Sequence, residues 1–255
     1  LSSSVTARVI GLAHAVAPAW AGGKSVAGKA TERTPRTAVE VWKAVMCAGR
    51  SPARLALGHG EGCAVGPQLL ADQRIAFYAF TGSTRVGKEI QRAAGLRRTQ
   101  LELGSIASTI VCHDANVELA IPKILNAGFR KAGQVCTSVQ RLYVDRRIAA
   151  QFVPKLVAAA RKMKAGDPAD PATVIGPMIS LQHAQRAQSW VDEAVAAGAQ
   201  LLLGGRREGS VLMPTVLTQV TTDMKVVCEE IFAPVISVIE FDGIDAAVAQ
   251  ANAQP

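Results

Sequence analysis

Four short segments carry residue types that do chemistry once a fold positions them. In Gly133-Gln134-Val135-Cys136-Thr137-Ser138 a cysteine sits among small residues just after a helix-like stretch. A thiol in such a turn can be reached by a small substrate and activated as a nucleophile by nearby donors. The competing reading is a buried structural cysteine, the ordinary fate of a single Cys. In Leu101-Glu102-Leu103-Gly104 a carboxylate stands between leucines at the end of an expected strand. Partial desolvation there would raise its pKa toward the range of a general base. The alternative is an edge-strand Glu that faces water.

The other two segments suit a nucleotide. Phe80-Thr81-Gly82-Ser83-Thr84-Arg85-Val86-Gly87-Lys88 reads as a strand, a glycine turn and the start of a helix. Free N–H groups and the positive end of the helix dipole then face a phosphate, with Gly82 allowing close approach and the Ser83 hydroxyl adding a bond. Such a turn is more often purely structural. In Glu229-Glu230-Ile231-Phe232-Ala233-Pro234-Val235, acids precede an apolar pair and a proline. A carboxylate here can accept hydrogen bonds from a ribose, or the segment is simply a charged turn.

The elements that must hold these segments alternate between helix and strand periodicity. Helices are expected at 37–48, 86–94, 116–131 (capped by Asp114 or Asn116), 149–163, 181–197 and from 244. Strands are expected at 75–80, 142–144, 201–203 and 235–241, with 100–103 and 109–112 as buried strands. Residues 58–66 read as a glycine-rich stretch before a short helical piece at Leu69 and Leu70, and 165–173 as a Pro/Asp loop. The alternation favours a largely parallel sheet with helices on both faces, an α/β fold.

Composition narrows the classes. The 255 residues are 49% hydrophobic but only 4% aromatic, which favours small-residue helix packing in an α/β protein over a β-sandwich. The net charge of +8 comes from scattered Lys and Arg with no like-charged block, so a solvated surface is expected rather than a nucleic-acid groove. The five cysteines are an odd number without a CxxC pair, which points to free thiols in a reducing compartment, with no disulfide scaffold and no metal site. The apolar start is interrupted by Arg8 and His14 and runs into patterned sequence, so no signal peptide is assigned, and no apolar run is long enough to span a bilayer. Both ends read as cut from something longer.

The order of the motifs is more specific than any one of them. FTGSTRVGK, LELGS, GQVCTS and EEIFAPV occur in the order of FTGST-x-VGK, LELGG, GQ-x-C and EEIFGPV in the aldehyde dehydrogenase superfamily, which this chain resembles from about Val16 onward. AGGKSVAGKATERTP (21–35) resembles that family's AAGNTVVLKPAEQTP, and GDPADPATVIGPMIS its GDP-DP-T-GP-IS segment. The resemblance implies a Rossmann-like coenzyme-binding domain over residues 1–104, followed by a second α/β catalytic domain over 105–255, both incomplete. It implies oxidation of a small-molecule aldehyde to a carboxylic acid, with Cys136 as nucleophile and Glu102 as the base that activates water. It places Lys29 and Glu32 at the adenosine ribose, Gly82 and Ser83 at the pyrophosphate, and Glu230 and Phe232 at the nicotinamide end. An acid at Glu32 repels a 2′-phosphate, which favours NAD, with NADP the other possibility. The family further implies a cytoplasmic homo-oligomer in the full-length form.

Departures from the pattern support a second expectation, a truncated or degenerate paralogue that binds nucleotide with little turnover. The family's PWNFP segment supplies an Asn amide to the oxyanion, and ungapped counting puts Thr6 there, in Val5-Thr6-Ala7-Arg8. LELGG-K-SP has become LELGSIAS, VLKP has become AGKA (27–30) and IFGP has become IFAP (231–234). A third reading, an unrelated Rossmann-like nucleotide-binding protein with a structural Cys136, is disfavoured by the ordered spacing.

Overall fold

The computed structural model describes residues 9–49 and 51–254, so the Val5–Arg8 segment lies outside the described residues. The chain divides into two compact units, residues 1–104 and 105–255.

The first unit contains α1 (Ile10–Ala21), β1 (Val26–Lys29), α2 (Pro35–Cys47), β2 (Leu55–Gly58), α3 (Gly62–Ala71), β3 (Phe77–Thr81), α4 (Thr84–Ala94) and β4 (Arg98–Glu102). Strands β1 and β2 pair in parallel, with Val26 opposite Leu55. Strands β3 and β4 also pair in parallel, from Phe77 opposite Arg98 to Thr81 opposite Glu102. Pro35 opens α2 at a position where a missing N–H leaves no bond unmade. One turn apart on that helix, Ala38 and Trp42 bury against Leu12, Val16, Val26 and Leu55. Gly28 is required on β1 because a Cβ there would lie 2.8 Å from the Trp42 ring.

The second unit contains β5 (Ser108–Val111), α5 (Val117–Phe129), β6 (Arg141–Asp145), α6 (Arg146–Arg161), α7 (Leu181–Ala196), β7 (Gln200–Leu203), β8 (Arg207–Glu208), β9 (Val211–Leu212), β10 (Thr215–Thr218), α8 (Lys225–Cys228), β11 (Val235–Phe241) and α9 (Ile244–Asn252). Five strands form one sheet in the order β5-β6-β11-β10-β7. The pairs are parallel except β10 with β7. Every residue of β6 is buried, as a parallel strand covered on both faces requires. Helix α6 packs through Ile148, Ala149, Phe152, Leu156 and Ala160, a stripe at helical spacing. Side-chain oxygens start three of this unit's helices: Asn116 accepts from the Leu119 N–H, Asp145 from that of Arg147 and Ser180 from that of His183.

The architecture is mixed α/β, as the alternation indicates. The structure also departs from the sequence reading in several places. The expected buried strand at 100–103 is β4, which alternates exposed and half-buried residues, and β5 is half-buried except at Val111. The glycine-rich stretch becomes helical from Gly62, so α3 carries Gly66 and Pro67 inside it. Helices α1 and α8 and strands β1, β2, β8, β9 and β10 are additional elements. Three of them are four-residue strands whose pairing partners lie elsewhere in the chain, so local periodicity carries little of their signal.

Asp145 offers a direct electrostatic test. The Arg147 side chain donates to both of its carboxylate oxygens, at 2.9 and 2.6 Å. Those bonds hold its pKa down to about 2, against the upward push of desolvation. The folded value lies below the ordinary value of about 3.9. Its stabilisation is therefore complete above that range and is lost as pH falls through about 2. Asp145→Asn, which keeps the helix cap, is expected to melt at a lower temperature than the parent at neutral pH. The gap should close as pH drops from roughly 4 toward 2. A gap that stays constant in thermal melts across that window contradicts the assignment.

Candidate active site

In the first unit, a cleft of about 550 Å³ is lined by Lys29, Glu32, Cys63, Tyr78, Ser83 and Glu89, among others. Lys29 ends β1 and is 7% exposed. Its ammonium donates to Glu32 Oε2 at 3.0 Å and to the Gly60 carbonyl at 3.2 Å. A buried ammonium needs such partners, because desolvating an unpaired charge is costly. The Glu32 carboxyl is held below the usual carboxylate range by a hydrogen bond from its own backbone, with the Lys29 bond and charge reinforcing that against burial. The other end of the cleft is the start of α4. There Ser83 is the N-cap, its oxygen accepting from the Val86 N–H at 3.4 Å. The remaining first-turn N–H groups have no partner within the helix, and the helix dipole adds positive potential.

Gly82 and Glu102 stand together beside this turn. The Gly82 N–H donates to the Glu102 carbonyl at 3.0 Å, extending the β3–β4 register by one bond. A Cβ on Gly82 would lie 2.4 Å from the Phe80 ring, so the space its missing side chain leaves is taken by that ring. Glu102 itself is exposed, which corrects the expectation that its leucine neighbours desolvate it. In a strand, successive side chains point to opposite faces. Leu101 and Leu103 therefore face away from Glu102, and Leu103 packs onto Gly87, where a Cβ would lie 2.4 Å from it.

In the second unit, Cys136 is exposed on the loop between α5 and β6. This excludes the buried structural cysteine as a description of its surroundings. The loop leaves α5 through three consecutive left-handed residues, Lys131, Ala132 and Gly133, with φ of 52, 55 and 67°. Non-glycine residues hold such angles only where their surroundings over-determine them. Here the surroundings are visible. Gly133 packs so tightly on the Glu229–Val235 segment that a Cβ would lie 2.1 Å from the Ala233 carbonyl oxygen. The Gln134 side chain accepts from the Ile179 N–H at 2.8 Å and donates to the Lys131 carbonyl at 3.1 Å. Ser138 donates to the Gly128 carbonyl at 3.1 Å, and Arg130 donates to the Thr137 hydroxyl at 3.3 Å.

The partner segment is equally constrained. The Gln140 side chain accepts from the Ile231 N–H at 3.1 Å and donates to the Glu229 and Val226 carbonyls at 2.7 and 3.0 Å. Arg186 donates to the Ile231 carbonyl at 2.8 Å while its guanidinium lies over the Trp190 ring. Phe232 is left-handed, with φ of 52°, and half-buried. Glu230 Oε1 accepts from the Ser105 N–H at 3.2 Å. Burial raises the Glu230 pKa, while the Ser105 bond and the Arg186 charge oppose the shift.

Lys29, Glu32 and Ser83 thus share one cleft, with Gly82 and Glu102 joined at the turn beside Ser83. Cys136, Glu230 and Phe232 belong to the second unit, where the thiol loop and the Glu230 turn pack together. Sequence reasoning missed Gln134, Gln140, Arg186 and Ser105. Gln134, Gln140 and Arg186 bond main-chain groups tens of residues away, and the Ser105 N–H bonds the Glu230 carboxylate, contacts for which no local pattern exists. Gly133 had a signal, a glycine just past a helix end. Among the described residues, no cluster of three His, Cys, Asp or Glu could hold a metal ion, and no helix is long and apolar enough to cross a membrane.

Comparison with known proteins supplies the frame for this geometry. The model of the aldehyde dehydrogenase family matches residues 9–255. A 3-sulfolactaldehyde dehydrogenase of Priestia aryabhattai is 44% identical over 239 residues, which is 94% of this chain and 50% of the relative. Betaine aldehyde dehydrogenase from Staphylococcus aureus, solved in complex with NAD+, superposes with a TM-score of 0.92 at 33% identity, over 96% of this chain and 50% of that one. An NADP-dependent enzyme from E. coli gives a TM-score of 0.96 at 29% identity, over 99% and 54%. The chain spans about half the length of the curated relatives it matches. With its ordered motifs, its α/β fold and a match across nearly its whole length, the chain belongs to the aldehyde dehydrogenase family.

Proposed function

We propose that the protein oxidises a small aldehyde to the carboxylic acid with NAD as acceptor, through a thioester on Cys136. The observation that carries this reading is the Cys136 loop. An exposed thiol is held on a left-handed backbone and braced against the Glu230 turn in a chain of this family. The Cys136 sulfur bonds to the carbonyl carbon and the carbonyl electrons move to oxygen, giving a thiohemiacetal alkoxide. Bound coenzyme supplies the hydride acceptor, and the re-formed C=O is that of a thioester. Glu102 takes a proton from water as the water oxygen bonds to the acyl carbon. The C–S bond then breaks to return the thiolate and release the acid. The water exposure of Glu102 suits a base whose substrate is water.

The coenzyme assignments follow the cleft. Residues 1–104 would serve as the coenzyme-binding domain and 105–255 as the catalytic domain. The paired Lys29 and Glu32 suit a ribose diol, offering a donor and an acceptor. The Gly82–Ser83 turn, at the head of α4, suits the pyrophosphate. Glu230 and Phe232 are assigned to the nicotinamide end. The charged Glu32 carboxylate disfavours a 2′-phosphate, hence NAD over NADP. The sulfolactaldehyde-named relative and the excess of basic residues make an aldehyde with an acidic group the first substrate to test. Five free cysteines suit a cytoplasmic setting, and homo-oligomer formation by the full-length protein is part of the same reading, with no nucleic-acid partner.

One observation favours a second reading, a paralogue that binds nucleotide and turns over little. Ungapped counting from the family pattern puts Thr6 at the position of the oxyanion Asn. Losing one such donor costs roughly 100- to 1000-fold in rate. Turnover decides between the two: reduction of NAD+ by the full-length protein across an aldehyde panel supports the first, and binding without turnover the second.

Three outcomes are expected in that assay. Cys136→Ala abolishes turnover while leaving NAD+ binding intact, and residual turnover near the parent rate removes Cys136 from the chemistry. Glu102→Gln yields a rapid burst of reduced coenzyme followed by a slow steady state, because acyl hydrolysis slows more than hydride transfer. Parent-like steady-state turnover excludes Glu102 as the base. Glu32→Gln narrows the preference for NAD+ over NADP+ by roughly tenfold, the equivalent of about 1.4 kcal/mol. An unchanged ratio of the two dissociation constants removes Glu32 from the choice of coenzyme.

A further inference from the structure

We infer that Gln140 is a positioning residue that holds the Glu230 turn in register with the loop bearing Cys136. The inference rests on the reading that Glu230 contacts the coenzyme, and it goes further by naming what fixes Glu230.

Gln140 is 4% exposed and occupies the last position before β6, four residues after Cys136. Its main-chain carbonyl accepts from the Ser237 N–H at 2.8 Å, continuing the ladder between β6 and β11. Its backbone is therefore anchored to the β6–β11 ladder of the sheet. Its side chain then reaches the turn that precedes β11. The amide oxygen takes the Ile231 N–H and the amide nitrogen gives to the Glu229 carbonyl, so the residues on both sides of Glu230 are pinned. These are the donor and acceptor that a neighbouring strand would have offered. Among uncharged side chains of this length, only glutamine presents one of each in a fixed plane. The amide also donates to the Val226 carbonyl, which Ser237 Oγ serves as well, tying α8 to the same point. Glu230 itself lends no main-chain group to this clamp, and its carboxylate reaches the Ser105 N–H.

The arrangement predicts what removal does. Leucine at 140 leaves a donor at Ile231 and an acceptor at Glu229 without partners, in a place where unmade bonds are costly. Glutamate keeps the acceptor for Ile231 but turns an oxygen toward the Glu229 and Val226 carbonyls. In both variants the turn relaxes and Glu230 loses its register.

The test is NAD+ binding by calorimetry on the full-length protein. Gln140→Leu and Gln140→Glu are each expected to raise the dissociation constant about tenfold or more, matching the lost bonds. A double-mutant cycle separates positioning from general damage. If Gln140 acts through Glu230, the loss caused by Gln140→Leu largely disappears in a Glu230→Gln background. An equal loss in both backgrounds overturns the inference, as does parent-like binding by folded Gln140 variants. Should Gln140→Leu fail to fold, Gln140→Glu carries the same cycle. Failure of both to fold makes Gln140 a structural residue and also overturns it. An unaltered protein that does not bind NAD+ overturns the coenzyme reading, and this inference with it.

Discussion

Where Gly133 meets the Ala233 carbonyl, two backbones come closer than any side chain allows. A Cβ on Gly133 would overlap that oxygen at 2.1 Å. The contact forces a chain of consequences in the second unit. Gly133 is left-handed at this contact, and Lys131 and Ala132 share that conformation, with the Lys131 carbonyl accepting from the Gln134 side chain. Left-handed alanine or lysine costs of order 1–3 kcal/mol. The turn follows directly on α5, whose Ile121, Ile124, Leu125 and Phe129 are buried in the main core. The result is a sharp exit from α5 that carries Cys136 to an exposed position. The same contact explains why alanine is tolerated at 233 in place of the family's glycine. It is the Ala233 carbonyl, not its methyl, that faces Gly133.

Around this contact the polar groups act as fasteners. Gln134 ties the start of the thiol loop to Ile179, and Gln140 ties its end to the Glu229–Ile231 turn. Both glutamines are buried, and both use donor and acceptor ends on main-chain groups. A buried polar side chain is tolerable only when it is satisfied. Here the satisfied partners include the backbones of the Cys136 loop and the Glu229–Ile231 turn.

The first unit solves a different problem, a cation at the wall of a cleft. Lys29 is nearly inaccessible, and its charge is balanced by Glu32 three residues on and by the Gly60 carbonyl. The spacing works because β1 ends at Lys29 and the chain turns before α2 begins at Pro35. Strand alternation settles Glu102 in the opposite way. The leucines that flank it in sequence lie on the other face, so it remains in water.

Much of this was legible in the residues. The alternation of periods indicated an α/β protein, and the ordered motifs marked Cys136, Glu102, Lys29, Glu32, Ser83 and Glu230. Asn116 and Ser83 announced helix starts, because a cap acts within one turn of itself. What acts locally is written locally. The short strands β1, β2 and β10, the exposure of Glu102, and the bonds of Gln134, Gln140 and Arg186 depend on partners tens of residues away. Hydrogen bonds to a distant backbone leave no trace in the identity of that backbone, since every residue offers the same N–H and C=O. The sequence therefore determined which groups could react, and only the tertiary structure decided which main-chain atoms would hold them in place.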